Sequence, residues 1–290
     1  MHQPASAAHF LPLSVARAQL GESPVWSERD QAVWWVDITG RKLLKTTLDG
    51  QTKDWTMPEL AGFVQCVAGR ILVGMQTGIF NFARSSGRLD RVVAMAEQGM
   101  RFNDACTDGH GRIWAGTMDV QNRRPTGVLY LFDPAHNTLE PRLCGFRTIN
   151  GLAWDGTRNR LYLSDSHAAV QTVWTCDTGP DGRLESRAVF ARFDDLAGRP
   201  DGAAIDKNGH YWIAGVGGGS LYRFHRNGDL IARFDVPPES PTKPVFVPED
   251  GCSLVLTSFQ DDHVGGRLLI WRNPPLNTAE EGAAHEEIPS

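Results

Sequence analysis

The sequence predicts an all-β fold: a six-bladed β-propeller whose last blade is closed by an N-terminal strand. Three observations carry this reading. A short apolar strand recurs six times, each copy follows a turn rich in Asp, Asn and Gly or in charged residues, and no stretch keeps a helical period. The copies begin at Trp34, Ile71, Ile113, Leu161, Tyr211 and Leu254, a period of roughly 40 to 50 residues that suits propeller blades. A β-sandwich also uses many short strands, but it has no such period.

The elements follow in order. The turns ahead of the six strands read Glu28-Arg29-Asp30, Ala68-Gly69-Arg70, Asp108-Gly109-His110-Gly111, Asp155-Gly156-Thr157, Lys207-Asn208-Gly209 and Glu249-Asp250-Gly251. Such clusters provide the positive φ angles that tight hairpins need. A further strand follows each copy: Leu43 to Leu48, Gly78 to Phe82, Gly127 to Phe132, Gln171 to Cys176, Ser220 to Phe224 and Gly266 to Trp271. A unit of three or four strands cannot bury both faces alone, and radial stacking buries them with few exposed edges. The sixth unit is short at its C-terminal end, and the apolar segment Phe10 to Leu20 is available to supply the missing strand. The expected organisation is an N-terminal extension over 1–13, a propeller over 14–273, and a tail over 274–290 whose Ala, Glu and Pro content predicts disorder.

Composition narrows the function. The 290 residues carry 29 Lys and Arg against 34 Asp and Glu, a net charge of -5. That balance argues against a general nucleic-acid binder. No apolar run approaches the 18 or so residues that span a bilayer, and the first twenty residues lack the basic start of a secretory signal. Five scattered cysteines without a C-x-x-C pair fit neither a disulfide framework nor a zinc site. The expectation is a cytoplasmic protein whose partner is a small molecule, with no nucleic acid and no membrane.

The segments before each turn are the innermost strands. Four align without gaps, beginning at Glu22, Asn103, Asn150 and Asp201. Equivalent positions in a radial fold converge at one mouth of the central channel, and strand openings seldom carry four carboxylate or amide groups. Two carboxylates with amide oxygens form a donor set for one divalent cation, and the two negative charges would repel without one. Taken singly, each could instead cap a turn. Arg101 lies on the same strand face as Asn103 and could grip a carboxylate or hydroxyls. Asp119 and Gln121 are expected near the rim, and Asp165 belongs either to the channel or to a Ser-Asp-Ser turn. His110 and His167 read as solvated turn residues, and Cys66, Cys106 and Cys252 as small core residues.

Leu20-Gly-Glu-Ser-Pro-Val-Trp26, Arg101-Phe-Asn-Asp104, Gly111-Arg-Ile-Trp-Ala-Gly-Thr-Met118, Asn150-Gly-Leu152 and Pro200-Asp-Gly202 resemble, in order, the motifs of the SMP-30/gluconolactonase (regucalcin-like) family. The resemblance covers about residues 14 to 272. It implies a six-bladed propeller, one divalent metal at the channel mouth and hydrolysis of sugar lactones to aldonic acids. Carried over by position, it makes Glu22, Asn150 and Asp201 the metal ligands and Asp201 also the general base. Arg101, Asn103 and Gln121 become substrate-binding residues. Some members place an acidic residue where Gln121 stands, a departure that bears on substrate identity rather than on the reaction. The oxygen donors admit Ca²⁺, Mg²⁺ and Mn²⁺, and the resemblance adds Zn²⁺ and Fe²⁺.

A lactone is a cyclic ester, and the chain offers no G-x-S-x-G elbow and no Cys/His pairing that stands out. Metal-assisted hydrolysis needs neither. Two competing readings are a calcium-binding or interaction propeller without catalysis, and a metal-dependent esterase acting on other esters.

Overall fold

The computed structural model describes residues 6–248 and 252–276. Six antiparallel sheets stand around a central axis, each four strands deep, and one of them carries an added parallel strand of two residues. Blade 1 comprises Gly21–Ser27, Ala32–Asp37, Lys42–Thr47 and Thr52–Thr56. Blades 2 to 5 repeat the pattern, opening on Phe63–Val67, Met100–Thr107, Ile149–Asp155 and Arg199–Ile205. Blade 6 opens on Pro241–Val247 and continues through Ser253–Ser258 and Leu269–Arg272. The recurring apolar strand of the sequence is the second strand of each blade, fully buried in blades 1, 3, 5 and 6. No helix occurs among the described residues.

The fourth strand of blade 6 comes from the other end of the chain. Leu11–Pro12 pairs antiparallel with Leu269 and Ile270, and the Leu13 and Ala18 amides donate to Leu268 and Gly266. The ring is thus closed by the N-terminal segment, as expected. It includes Leu11–Leu13, which a boundary at residue 14 leaves outside, because blade 6 has no other outer strand. Ser6–Ala7 adds a parallel strand to the outer edge of blade 5. The expected tail is also docked at its start: Leu276 is buried beside Trp212 and Trp271, and its carbonyl accepts from Asn208 Nδ2 at 2.9 Å. The remainder, 277–290, lies outside the described residues.

The core is six seams rather than one centre. Each apolar cluster lies between neighbouring blades, such as Phe63, Leu72 and Ile79 against Phe102, Ile113 and Phe132. Burial between sheets is the main attraction holding the ring, and it fixes the innermost strands around the axis.

Candidate active site

Those innermost strands carry a repeated irregularity. Pairing with the second strand skips between Glu22 and Val25, Phe102 and Asp104, Asn150 and Ala153, Pro200 and Ala203, and Pro241 and Pro244. Blade 2 alone pairs without a skip, from Phe63 to Val67. A bulge re-aims side chains that a regular strand would alternate, and the four sequence-selected residues all sit at such bulges. Two are followed by positive φ: 48° at Ser23 and 61° at Gly151. The second needs glycine twice over, since a Cβ there would lie 2.6 Å from the Tyr211 hydroxyl.

The bulges gather Glu22, Asn103, Asn150 and Asp201 at one pocket of about 150 Å³, together with Arg101. All five side chains are buried. Four of them, all but Glu22, form a chain of contacts across blades 3, 4 and 5. Arg101 Nη1 donates to Asn103 Oδ1 at 2.7 Å, and Asn103 Nδ2 donates to Asn150 Oδ1 at 2.9 Å. Asn150 Nδ2 donates to Asp201 Oδ1 at 2.5 Å and to Ser166 Oγ at 2.9 Å. Glu22 accepts from the Ser23 amide at 2.8 Å. Apolar walls come from Leu20, Ile38, Met118, Val216 and Phe259.

The electrostatics are unbalanced. Among the described residues, neither Glu22 nor Asp201 belongs to an ion pair within 4 Å. Burial, then the Asp104 charge, pushes the Glu22 carboxyl up to about 8. Burial, then Glu22 and Asp104, holds the Asp201 carboxyl well above its ordinary value. Burial lowers the Arg101 guanidinium to about 10 against the pull of Glu22 and Asp201. Two buried carboxylates that resist ionising side by side fit a bound cation, which removes both penalties. No three His, Cys, Asp or Glu gather as a metal cluster among the described residues, so the donor set depends on the Asn150 amide. Its nitrogen faces Asp201 here, and rotation of the amide would present oxygen instead.

Other sequence-selected residues land elsewhere. Gln121 is exposed and does not line the pocket; its neighbour Asn122 does. The turn explains this: the Asn122 amide donates back to Asp119 O at 2.8 Å, and Asn122 takes a left-handed φ of 52°. Its Oδ1 then accepts from Thr148 Oγ1 at 2.8 Å. Asp119 is held by Arg123 and Arg124, and Asp165 accepts from the amides of Arg147, Thr148 and His167, a turn role and not a channel one. His110 and His167 donate backbone amides to turn aspartates and do not line the pocket.

Sequence reasoning missed Asn122, Thr148, Ser166 and Arg199 on the pocket wall. It also missed the pair directly beneath: Lys243 Nζ lies 2.5 Å from Asp104 Oδ1 and donates to Ala105 O at 2.9 Å. A lysine between two prolines on an inner strand was the available signal.

The profile described as SMP-30/Gluconolactonase/LRE-like region matches residues 20–260. The chain is 33% identical to a 6-deoxy-6-sulfogluconolactonase of Pseudomonas putida, covering 87% of each chain. It is 33% identical to an L-arabinolactonase of Azospirillum brasilense, covering 79% of this chain and 78% of that one. Among solved structures, a calcium-binding regucalcin from Agrobacterium tumefaciens superposes with a TM-score of 0.85 at 23% identity, over 93% of this chain and 95% of that one. The chain belongs to the SMP-30/gluconolactonase/LRE-like family.

Proposed function

We propose that this protein hydrolyses a sugar lactone to the aldonic acid, with a divalent cation at the channel mouth. The observation that carries the reading is a pair of buried carboxylates in one small pocket, Glu22 and Asp201, without an ion pair among the described residues, with Asp201 joined through Asn150 and Asn103 to Arg101. The similarity to named sugar lactonases supports it.

Glu22, Asn150 and Asp201 would hold the cation, which supplies Lewis acidity to the lactone carbonyl. The protein's own groups do the rest. With the cation holding it ionised, Asp201 is placed to take a proton from the attacking water. The same carboxyl can return that proton to the ring oxygen as the carbon–oxygen bond breaks. Arg101 gives Nη1 to Phe102 O and Asn103 Oδ1, while its Nη2 and Nε make no hydrogen bond among the described residues. Those donors are free to hold the developing oxyanion or a ring hydroxyl. Asn103, fixed by Ile149 O and Asn150, orients that guanidinium. The apolar wall of Leu20, Ile38, Met118, Val216 and Phe259 would pack against the ring face and limit water.

The test is a panel of pentono- and hexono-lactones beside aryl esters, assayed with chelator and after adding back Ca²⁺, Mg²⁺, Mn²⁺ or Zn²⁺. Lactone opening lost on chelation and regained with one of these ions supports the reading. Turnover of aryl esters alone supports a general esterase, and cation binding without any turnover supports a calcium-binding propeller.

A further inference from the structure

Below the mouth, a buried ion pair crosses the channel. Lys243 enters from blade 6 and reaches blade 3, on the opposite side of the ring. Its side chain is 6% exposed and that of Asp104 is 1%. The surrounding bonds complete the pair. Asp104 Oδ2 accepts from the Leu152 amide of blade 4 at 2.8 Å, and Oδ1 accepts from the Ala105 amide at 2.8 Å. Ala105 O accepts from Lys243 and, at 3.1 Å, from Gln65 Nε2 of blade 2. Blades 2, 3, 4 and 6 therefore meet in one hydrogen-bonded floor. Space for it is reserved by Gly202, beside Asp201: a Cβ there would come within 2.5 Å of Lys243 Cβ.

Asp104 follows Asn103 directly, and its charge acts on both Glu22 and Asp201. Without a cationic partner it would stand as a third negative charge beside the donor set. Burial opposes the Lys243 charge, but the Asp104 carboxylate and its hydrogen bond more than offset this and hold the ammonium above the ordinary lysine value.

We propose that Lys243 and Asp104 form a positioning pair that sets the charge of the cation site from below, keeping it a two-carboxylate site while bolting opposite blades together. The inference rests on the cation-site reading of the mouth. Two unlike charges at nearly the same place cancel at the site, whereas removal of either exposes the other. Their single variants must therefore shift cation affinity in opposite directions, which a purely structural role cannot do.

The test is isothermal titration of metal-stripped full-length protein with Ca²⁺ and Mn²⁺ at pH 8, for wild type, Lys243→Met, Asp104→Asn and the double variant. Thermal melting of each variant runs alongside. Lys243→Met is expected to bind the cation about fivefold or more tightly, and Asp104→Asn to bind it about fivefold or more weakly. The double variant should return to within about twofold of wild type. Loss of affinity in both single variants, or the same direction of shift in both, overturns the proposal. If Lys243→Met does not fold, Lys243→Gln replaces it, and Asp104→Asn alone must still weaken binding for the proposal to stand. Absence of cation binding by the wild type would instead contradict the reading of the mouth on which the pair depends.

Discussion

The two ends of the innermost strands carry the same kinds of residue and use them in opposite ways. At the turn end, Asp108, Asp155 and Asp206 are saturated by their own neighbours. Asp206 accepts from the Asn208 and His210 amides, each at 2.9 Å, from Trp212 Nε1 at 2.9 Å, and pairs with His210 Nδ1 at 3.1 Å. Asp108 and Asp155 are likewise paired with Arg112 and Arg158. At the mouth end, neither Glu22 nor Asp201 has an ion pair among the described residues; Glu22 accepts from the Ser23 amide of its own strand, and Asp201 from Asn150 of the neighbouring blade. Residue type alone does not separate a turn cap from a ligand. The separating features are local saturation and the bulge that turns a side chain toward the axis.

That contrast can be broken at several points, from large effects to small. Asp201→Asn should fold normally and lose lactone hydrolysis by roughly 10²–10⁴-fold in kcat/KM, the usual share of a general base. Normal turnover by the variant would remove Asp201 from the chemistry. Glu22→Gln should weaken divalent-cation binding by more than about 100-fold, since even outer partners of a metal site contribute 10–100-fold; titration calorimetry checks it. Asp206→Asn should do the reverse, costing about 1–3 kcal/mol of stability in denaturant unfolding while leaving cation affinity unchanged.

A pH experiment sharpens the same comparison. Glu22 rises from 4.5 to about 8 on folding, so the folded chain keeps a proton that the unfolded chain releases. Its contribution to stability is fully present below pH 4.5 and is lost as pH climbs through about 8. The raised Asp201 carboxyl acts in the same direction. The Tm of chelated protein should therefore fall between pH 5 and pH 8, and a saturating divalent cation should flatten that fall. A chelated Tm that rises over this range would contradict the burial of un-neutralised carboxylates. The smallest effect is expected at the rim: Asn122→Ala should raise KM several-fold through loss of a pocket hydrogen-bonding group, with Gln121→Ala within about twofold of wild type.

The sequence disclosed what is periodic and local. Six turn-and-strand repeats were visible because tight hairpins demand Asp, Asn and Gly at fixed points. Glu22, Asn103, Asn150 and Asp201 were visible because four strands share one alignment. Lys243 was harder to place, since the ring brings it from blade 6 to Asp104 of blade 3; Ser166 reads as part of a turn, and Arg199 was passed over although it precedes Asp201 by two residues as Arg101 precedes Asn103. Gln121 was chosen over Asn122 for a related reason: one left-handed residue in the turn exchanges which side chain faces the pocket. The start of the tail docks for the sake of one apolar side chain, Leu276, which composition averages conceal.

The most direct measurement is anomalous diffraction from crystals of the protein soaked in Mn²⁺. One peak within bonding distance of Glu22, Asn150 and Asp201, with none at Asp108, Asp155 or Asp206, is the result the account predicts. Crystals of lactone-hydrolysing protein that show no peak at that triad, or a peak only at the turn aspartates, would contradict it.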